Sequence, residues 1–496
     1  MTDDGKIGDE KANDGIYTAD QLTSCCFLAQ LNCNTGLCCS ATFFYLLSHF
    51  YCNPTISERI KNFMKRFDVS SALKSSNAVK IKGFAVIEIF QYLFMLVFAH
   101  RSIYMDMKKD TVPFAKDTVY RFLNSARINW LRFTTRLSAK IIEDAIAPLT
   151  SEQRENVLII DDSVFERNRS KKVELLTKVF DHAKRNYIYG FRMLTLGWSD
   201  GNTFMPVNSI LLSSENDKTV VNIPENTDKR TNAFKRRKLS RSKANDAMIT
   251  LIKEAKAACI KASYVLFDSW FASPDSICKV RTLGYDIIAM IKKTPKVFYE
   301  CNGKMMSVCD IFKSNKKRRG RSRYLLSVDV NVVKNDNVIP AKIVFVRNRN
   351  KRSDYLCILS TDTSLTEDEI IRIYGKRWSI EVFFKVCKSY LCLTKECRSI
   401  SFDAMTAHTA VVFTRYMMLA VSKRESEDPR SMGELFMCCT DELADVSFAQ
   451  AFSLLMDLFV GHAVEYLTIS EQVISAFVDK FLEAIPDALK IKLMAA

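Results

Sequence analysis

The sequence predicts an α/β fold flanked by all-helical regions, and three observations carry that prediction. Apolar runs of strand type end on aspartate at Asp161 and Asp268. Helical stretches separate those runs and dominate both ends of the chain. A late amphipathic segment, Tyr374 to Lys388 (YGKRWSIEVFFKVCK), gathers its charged groups on one stripe. With 496 residues the chain is long enough for two or three domains and a sizeable core.

In chain order, residues 1–18 are polar and acidic and predict disorder. They lack the basic-then-apolar character of a secretion signal, so a cytoplasmic location is expected. Residues 19–150 read as a helical domain, with long helices expected over Ala85 to Arg101 and Asp117 to Leu137. The apolar run Phe84 to Ala99 is broken by Glu88 and Gln91. It is also shorter than the roughly 20 residues of a membrane span, so it predicts a buried helix. Ala115 to Leu131 mixes arginines with aromatics and reads either as a DNA-reading helix or as amphipathic packing.

The pattern changes at Val157. A strand to Asp161 leads through the basic turn ERNRSKK to two further strands, Phe191 to Trp198 and Phe204 to Leu212, joined by the turn SDGN. A basic linker, a helix over Asp246 to Ile260, the strand Tyr264 to Asp268, another helix and a strand at Asp286 to Ile291 follow. Between Asp268 and Glu381 lie 112 residues, rich in strand signals at Tyr324 to Val333, Ile339 to Arg347 and Tyr355 to Ser360, with KNDN as a hairpin turn. Residues 293–363 are therefore expected to form a β-rich insertion domain between the two halves of a core, 151–292 and 364–425. Residues 426–496 read as a helical C-terminal region.

The apolar share of 48% and charged share of 26% fit a soluble globular protein. The excess of 72 Lys and Arg over 56 Asp and Glu, a net charge of +16, points to a polyanionic partner, nucleic acid before membrane. The charge is clustered. Lys229 to Lys243 holds eight positive residues and no acid, Lys313 to Arg323 holds seven, and Arg347 to Arg352 adds four. These runs nominate Arg236, Arg237, Lys238, Lys317, Arg318, Arg319 and Arg321 as contacts to DNA phosphates. The 16 cysteines include adjacent pairs and no C-x-x-C, and the 5 histidines form no zinc-finger spacing with them. Buried reduced thiols are expected, while the segment near residues 25–39 has no assigned role.

At about 100° per residue, Tyr374, Arg377, Glu381 and Lys388 fall at roughly 0°, −60°, −20° and −40° on a helix. Ile380, Val382, Phe383, Phe384, Val386 and Leu391 spread around its other sides. A carboxylate between an arginine and a lysine, with a phenol one turn before, suits a site that handles a metal ion and a phosphate. An intrahelical Arg377–Glu381 pair and an Asp268 helix cap are the purely structural readings.

The pattern Y-x2-R-x3-E-x6-K resembles the signature of the insertion-sequence-four family of bacterial DDE transposases. The segments VLIIDDSVFER and VLFDSWF precede it in the family's order, and the likeness covers about residues 156–410. The resemblance implies a ribonuclease-H-like catalytic core interrupted by a β-strand insertion. It implies Asp161, Asp268 and Glu381 as catalytic residues and as ligands of two magnesium ions, with manganese able to substitute; such a carboxylate set suits magnesium, which keeps waters and substrate oxygens. It assigns Tyr374, Arg377 and Lys388 to phosphates near the cleaved end. Neighbouring strand residues face opposite ways, so only one of Asp161 and Asp162 can serve, and the Asp-x-Ser/Thr pattern common in ribonuclease-H-like enzymes favours Asp161, with Ser163, over Asp162. The implied substrates are double-stranded DNA, namely terminal inverted repeats and target, handled by a homodimer that is nucleoid-associated when bound. Cleavage through a hairpin is implied by the family alone. A metal-dependent nuclease without strand transfer and an inactive DNA-binding copy are the rival functions.

Overall fold

In the computed structural model the described residues are 56–425, Met432 and Phe436, leaving out 110–111, 170, 182–183, 225–226, 320–321 and 349–353. The N-terminal tail 1–18, the stretch 19–55 expected to be helical, with its cysteines at 25–39, Arg321, the basic residues 349–352 and nearly all of 426–496 lie outside them.

The helical region comprises α1 (Ile56–Arg66), α2 (Val69–Ser75), α3 (Val86–Met95), α4 (Ile103–Lys109), α5 (Lys116–Leu123) and α6 (Trp130–Ile141). Both long helices expected here are interrupted. The first ends at Met95, with Ile89, Phe90, Leu93 and Phe94 buried. The second breaks between Leu123 and Trp130, where two asparagines compete for backbone groups. Asn124 donates to the Tyr120 carbonyl at 2.8 Å, and Asn129 accepts from Arg132 N at 3.1 Å to start α6. Ala115 to Leu131 is thus no single helix. No described helix is long and apolar enough to cross a membrane.

The sheet begins with β1 (Val157–Glu166), β2 (Leu176–Asp181), β3 (Asn186–Ser199), β4 (Phe204–Leu212) and β5 (Val220–Val221). After α7 (Asn232–Ser240) and α8 (Ala244–Ala257) come β6 (Tyr264–Phe267), α9 (Pro274–Thr282) and β7 (Asp286–Met290). β4, β3 and β1 pair antiparallel, and β6 and β7 then add parallel to β1. The resulting order β4-β3-β1-β6-β7, with helices between, is compatible with a ribonuclease-H-like fold. Val157 to Ile160 and Tyr264 to Phe267 are wholly buried, as parallel strands covered on both faces must be. β4 pairs with β3 alone, so Pro206 sits where no ladder donor is needed on the outer side. The basic linker at 229–243 is largely helix α7, started by Thr231 accepting from Phe234 N.

Residues 293–363, expected to form an insertion, contain β8 (Phe298–Cys301), β9 (Lys304–Ser307), α10 (Val308–Ser314), β10 (Tyr324–Lys334), β11 (Asn337–Arg347) and β12 (Tyr355–Ser360). Asn335 adopts φ 52° in the β10–β11 turn, a left-handed conformation asparagine tolerates. β12 pairs antiparallel with β7, Ser360 opposite Ile288, so these strands extend one 12-stranded sheet. That pairing covers an edge β7 would otherwise expose.

Three helices close the described chain: α11 (Glu367–Gly375), α12 (Trp378–Ser389) and α13 (Phe402–Glu425). α13 is buried from Phe402 to Val421 except at Thr406. At its centre Arg415 bonds the carbonyls of Leu93 and Phe94 at 2.5 and 3.0 Å and grips Glu396 with two nitrogens at 2.6 and 3.1 Å. Burial alone would raise the Glu396 carboxyl; Arg415 outweighs it and holds it below its ordinary range. The eight described cysteines are free thiols.

A second contact positions α12. A Cβ on Gly197 would lie 2.1 Å from the Phe204 ring, which packs 5.1 Å from the ring of Phe383 on α12. Gly197 is therefore required for close approach. Gly197→Ala is expected to cost about 1–3 kcal/mol in urea unfolding, and Phe204→Leu in the same chain should recover part of it. Arg415→Ala is expected to cost about 3–5 kcal/mol by the same measurement, because Glu396 is left buried and unpaired. Adding Glu396→Gln should reduce that loss; no recovery would show that packing of the guanidinium, not its charge, is what matters.

Candidate active site

Parallel pairing of β1 with β6 sets Ile160 opposite Phe267, so Asp161 and Asp268 come next at matching positions. Matching positions on parallel neighbours face the same side of the sheet, and Asp162 faces the other. Asp161 and Asp162 indeed keep different company. Arg377 donates from one nitrogen to Asp161 Oδ2 at 2.6 Å and from another to Glu381 Oε1 at 2.5 Å. Asp162 has both oxygens taken by Arg192, each at 2.6 Å.

Burial, reinforced by the nearby charges of Asp268 and Asp162, pushes the Asp161 carboxyl up to about 7, against the pull of Arg377 and of the Asp162 N–H. The phenol of Tyr374 is raised to about 12, mainly by burial, with Asp268 and Asp161 adding to the rise. Tyr374, Arg377, Asp161, Asp268 and Glu381 thus form one electrostatic neighbourhood.

The expected single helix is two. Tyr374 lies in the last turn of α11, Arg377 is in the joint and Glu381 lies on α12. The joint keeps near-helical angles, φ −56° and ψ −30° at Arg377, so these three side chains stay grouped. It is anchored by Glu155, which Arg372 holds at 2.6 and 3.0 Å and Lys376 reaches through the backbone carbonyl at 2.5 Å. Arg372, against the effect of burial, draws the Glu155 carboxyl down to about 2, and Lys376 assists.

Lys388 is not brought to the carboxylates. Burial lowers its ammonium, and the acids acting on it are Asp181 and Glu166. Glu166 lies five residues along β1 from Asp161, about 17 Å of extended strand. Asp268 caps no helix: its Oδ1 accepts from Trp270 N at 2.8 Å, while Ser273 caps α9.

Three side chains near the aspartates were not legible as site residues. Arg192 stacks over the Trp270 ring at 4.8 Å and Lys292 over the same ring at 4.4 Å. Trp270, two residues past Asp268 in DSWF, carried the one available signal. Arg192 is identified only by strand pairing.

The basic residues divide. Arg237 is bidentate to both Glu174 and Asp403, and Arg236 pairs with Asp403 at 3.1 Å and donates to the Ile128 carbonyl at 2.5 Å. Their charge is spent inside the fold, tying α7 to the start of α13, which corrects their place as surface phosphate contacts. Lys238, Arg318 and Arg319 are exposed, and Lys317 is half-buried with its ammonium over Phe312 at 4.8 Å.

Among the described residues no three His, Cys, Asp or Glu side chains form a compact metal-holding group. Glu381 meets Asp161 only through Arg377. The pair Asp161 and Asp268 nevertheless suits a divalent cation in its chemistry: two carboxylates share one face, and Asp161 is buried beside further acids, which raise its carboxyl even against Arg377. Magnesium requires no more than one or two protein carboxylates when phosphate and water complete its shell.

Residues 92–329 match the sequence family described as DDE superfamily endonuclease. The match spans both aspartate strands and stops before α11. It supports a DDE-type, transposase-like nuclease with DNA as substrate. No curated protein matches the chain.

Proposed function

We propose that this chain is the transposase of a bacterial insertion sequence of the insertion-sequence-four type. It binds the element's terminal inverted repeats, cleaves DNA at the ends, and joins the 3′ ends to target DNA. The observation that carries this reading is the placement of Asp161 and Asp268 in register on parallel neighbours, with Arg377 joining Asp161 to Glu381. Asp161, Asp268 and Glu381 would hold the magnesium ions. A bound divalent ion activates the attacking oxygen and offsets charge developing at phosphorus.

The remaining roles belong to side chains. Arg377 offers a planar, bidentate donor set to a phosphate oxygen at the cleaved bond, with Tyr374 beside it. Asp161 is preferred to Asp162 because it takes the position matching Asp268 and shares Arg377 with Glu381, whereas Asp162 faces the other side of the strand and pairs with Arg192. Lys238, Lys317, Arg318 and Arg319 follow the backbone of flanking duplex. Lys388 is assigned to phosphate further from the cleaved bond. Pairing of two ends requires a homodimer, and hairpin formation at the element end is the route the family resemblance favours.

Magnesium-dependent cleavage of end DNA and gel-shift binding, measured on the same preparations, test this. Asp161→Asn, Asp268→Ala and Glu381→Ala should reduce cleavage to background and retain binding, while Asp162→Asn should lower cleavage less. Active Asp161→Asn beside inactive Asp162→Asn reverses the assignment. Wild-type protein that cleaves but never joins pre-cleaved ends to target would be a nuclease instead. Replacing Lys317, Arg318 and Arg319 together by Ala should weaken end and random DNA alike, flattening log K against log salt by about 0.9 per lost contact. An unchanged slope would remove this cluster from the DNA surface.

A further inference from the structure

We infer that the groove running from Trp270 along the β2–β3 hairpin binds single-stranded DNA, with unpaired bases stacked on its aromatic side chains. This rests on the DNA-processing reading above but concerns a surface that reading does not use. The groove has a volume of about 1490 Å³. That exceeds the roughly 300–1,000 Å³ of an ordinary small-molecule pocket, so it suits an elongated ligand.

Its aromatic lining is unusual for a surface cleft. Tyr187 is 71% exposed, Trp270 49% and Phe180 38%, and Tyr189 lines the same groove. On the hairpin, Phe180 stands opposite Tyr187 and Lys178 opposite Tyr189, so the four project from one face of paired strands. The Phe180 and Tyr187 rings meet edge to face at 5.2 Å, which holds Tyr187 in place while leaving most of it open.

Cations accompany the rings. Lys178 lies over Tyr189 at 5.5 Å, and Lys292 and Arg192 lie over Trp270. Lys218 and Lys243 line the wall opposite. Of the three acids there, Asp246 and Asp275 share the single ammonium of Lys279 at 3.0 and 2.9 Å and Glu215 is exposed, fewer charges than Lys178, Lys218, Lys243, Lys279 and Lys292 supply. The net field therefore favours a phosphate chain.

Stacking decides the form of that chain. Duplex DNA keeps its bases inside and presents only phosphates to such a wall, whereas a single strand offers a base face to each ring and phosphates to each lysine. From Tyr187 to Tyr189, and from Phe180 to Lys178, the hairpin advances about 7 Å on one face, and the groove continues past the strand to Arg192, on its other face, and to Trp270. The groove begins beside Asp268, through Trp270, so a strand separated at the cleavage site enters it directly.

The test uses the full-length chain and a fluorescein-labelled oligothymidylate of twelve nucleotides, with a blunt random duplex as comparison. Tyr187→Ala should weaken oligothymidylate binding about 5- to 150-fold, Tyr187→Phe should not, and duplex binding should stay within about twofold for both. Lys178→Ala with Lys218→Ala should weaken binding and flatten its salt dependence, and bound oligothymidylate should quench fluorescence from Trp270. Wild-type affinity in Tyr187→Ala, or equal losses on single-stranded and duplex DNA, overturns the inference. The outcome is separable from the transposase reading. A cleavage-inactive wild-type chain that loses oligothymidylate binding in Tyr187→Ala keeps the groove and sinks the reading. An active chain indifferent to Tyr187→Ala does the reverse.

Discussion

The organisation of this molecule depends on one guanidinium. Arg377 joins Asp161, 216 residues earlier in the chain, to Glu381 one turn ahead of it. Without such a cation, two acids beside Asp268 would repel one another in a place from which water is largely removed. Much of the surrounding structure fixes that bridge. Glu155 with Arg372 and Lys376 holds the joint between α11 and α12, and Phe204 wedged over Gly197 supports α12 from below. Arg415 reaches the Leu391 carbonyl just past the end of α12.

The same chemistry explains how a chain of charge +16 keeps some of its arginines inside. Arg192, Arg236, Arg237, Arg377 and Arg415 each meet a carboxylate within the fold. A planar, permanently charged fork suits such pairing better than an ammonium. Exposed lysines such as Lys178, Lys218, Lys238 and Lys243 carry the excess instead. The charge surplus thus belongs to the surface even where the longest basic run, Lys229 to Lys243, contributes two arginines to the interior.

What the sequence discloses follows from range. The strands at Phe204 to Leu212 and Tyr355 to Ser360 match their apolar runs residue for residue, and both aspartate strands are found where the runs end. Their apolar period is local information. The breaks at Asn124 and Lys376 are local too, but the first depends on one side chain competing for backbone and the second on a single turn that keeps near-helical angles, which periodicity averages away. The pairing of Arg237 with Asp403, 166 residues apart, leaves no local trace, and its run reads as solvated. Lys388 is displaced for a geometric reason: a stripe on a helix fixes direction, yet seven residues of rise, about 10 Å from Glu381, carry it toward Glu166.

The β-rich segment adjoins the aspartate strands where it leaves and rejoins the sheet. The chain departs from β7 through Lys292, whose ammonium lies over Trp270, and Lys293, which pairs with Asp354 just before β12. β12 then returns against β7, so the departing and returning segments are bonded to each other at the point nearest the site. β12 pairs along β7 up to Met290, and Lys292, two residues further on, lies over the Trp270 ring, so the β-rich segment and the aromatic end of the groove are built on the same strand.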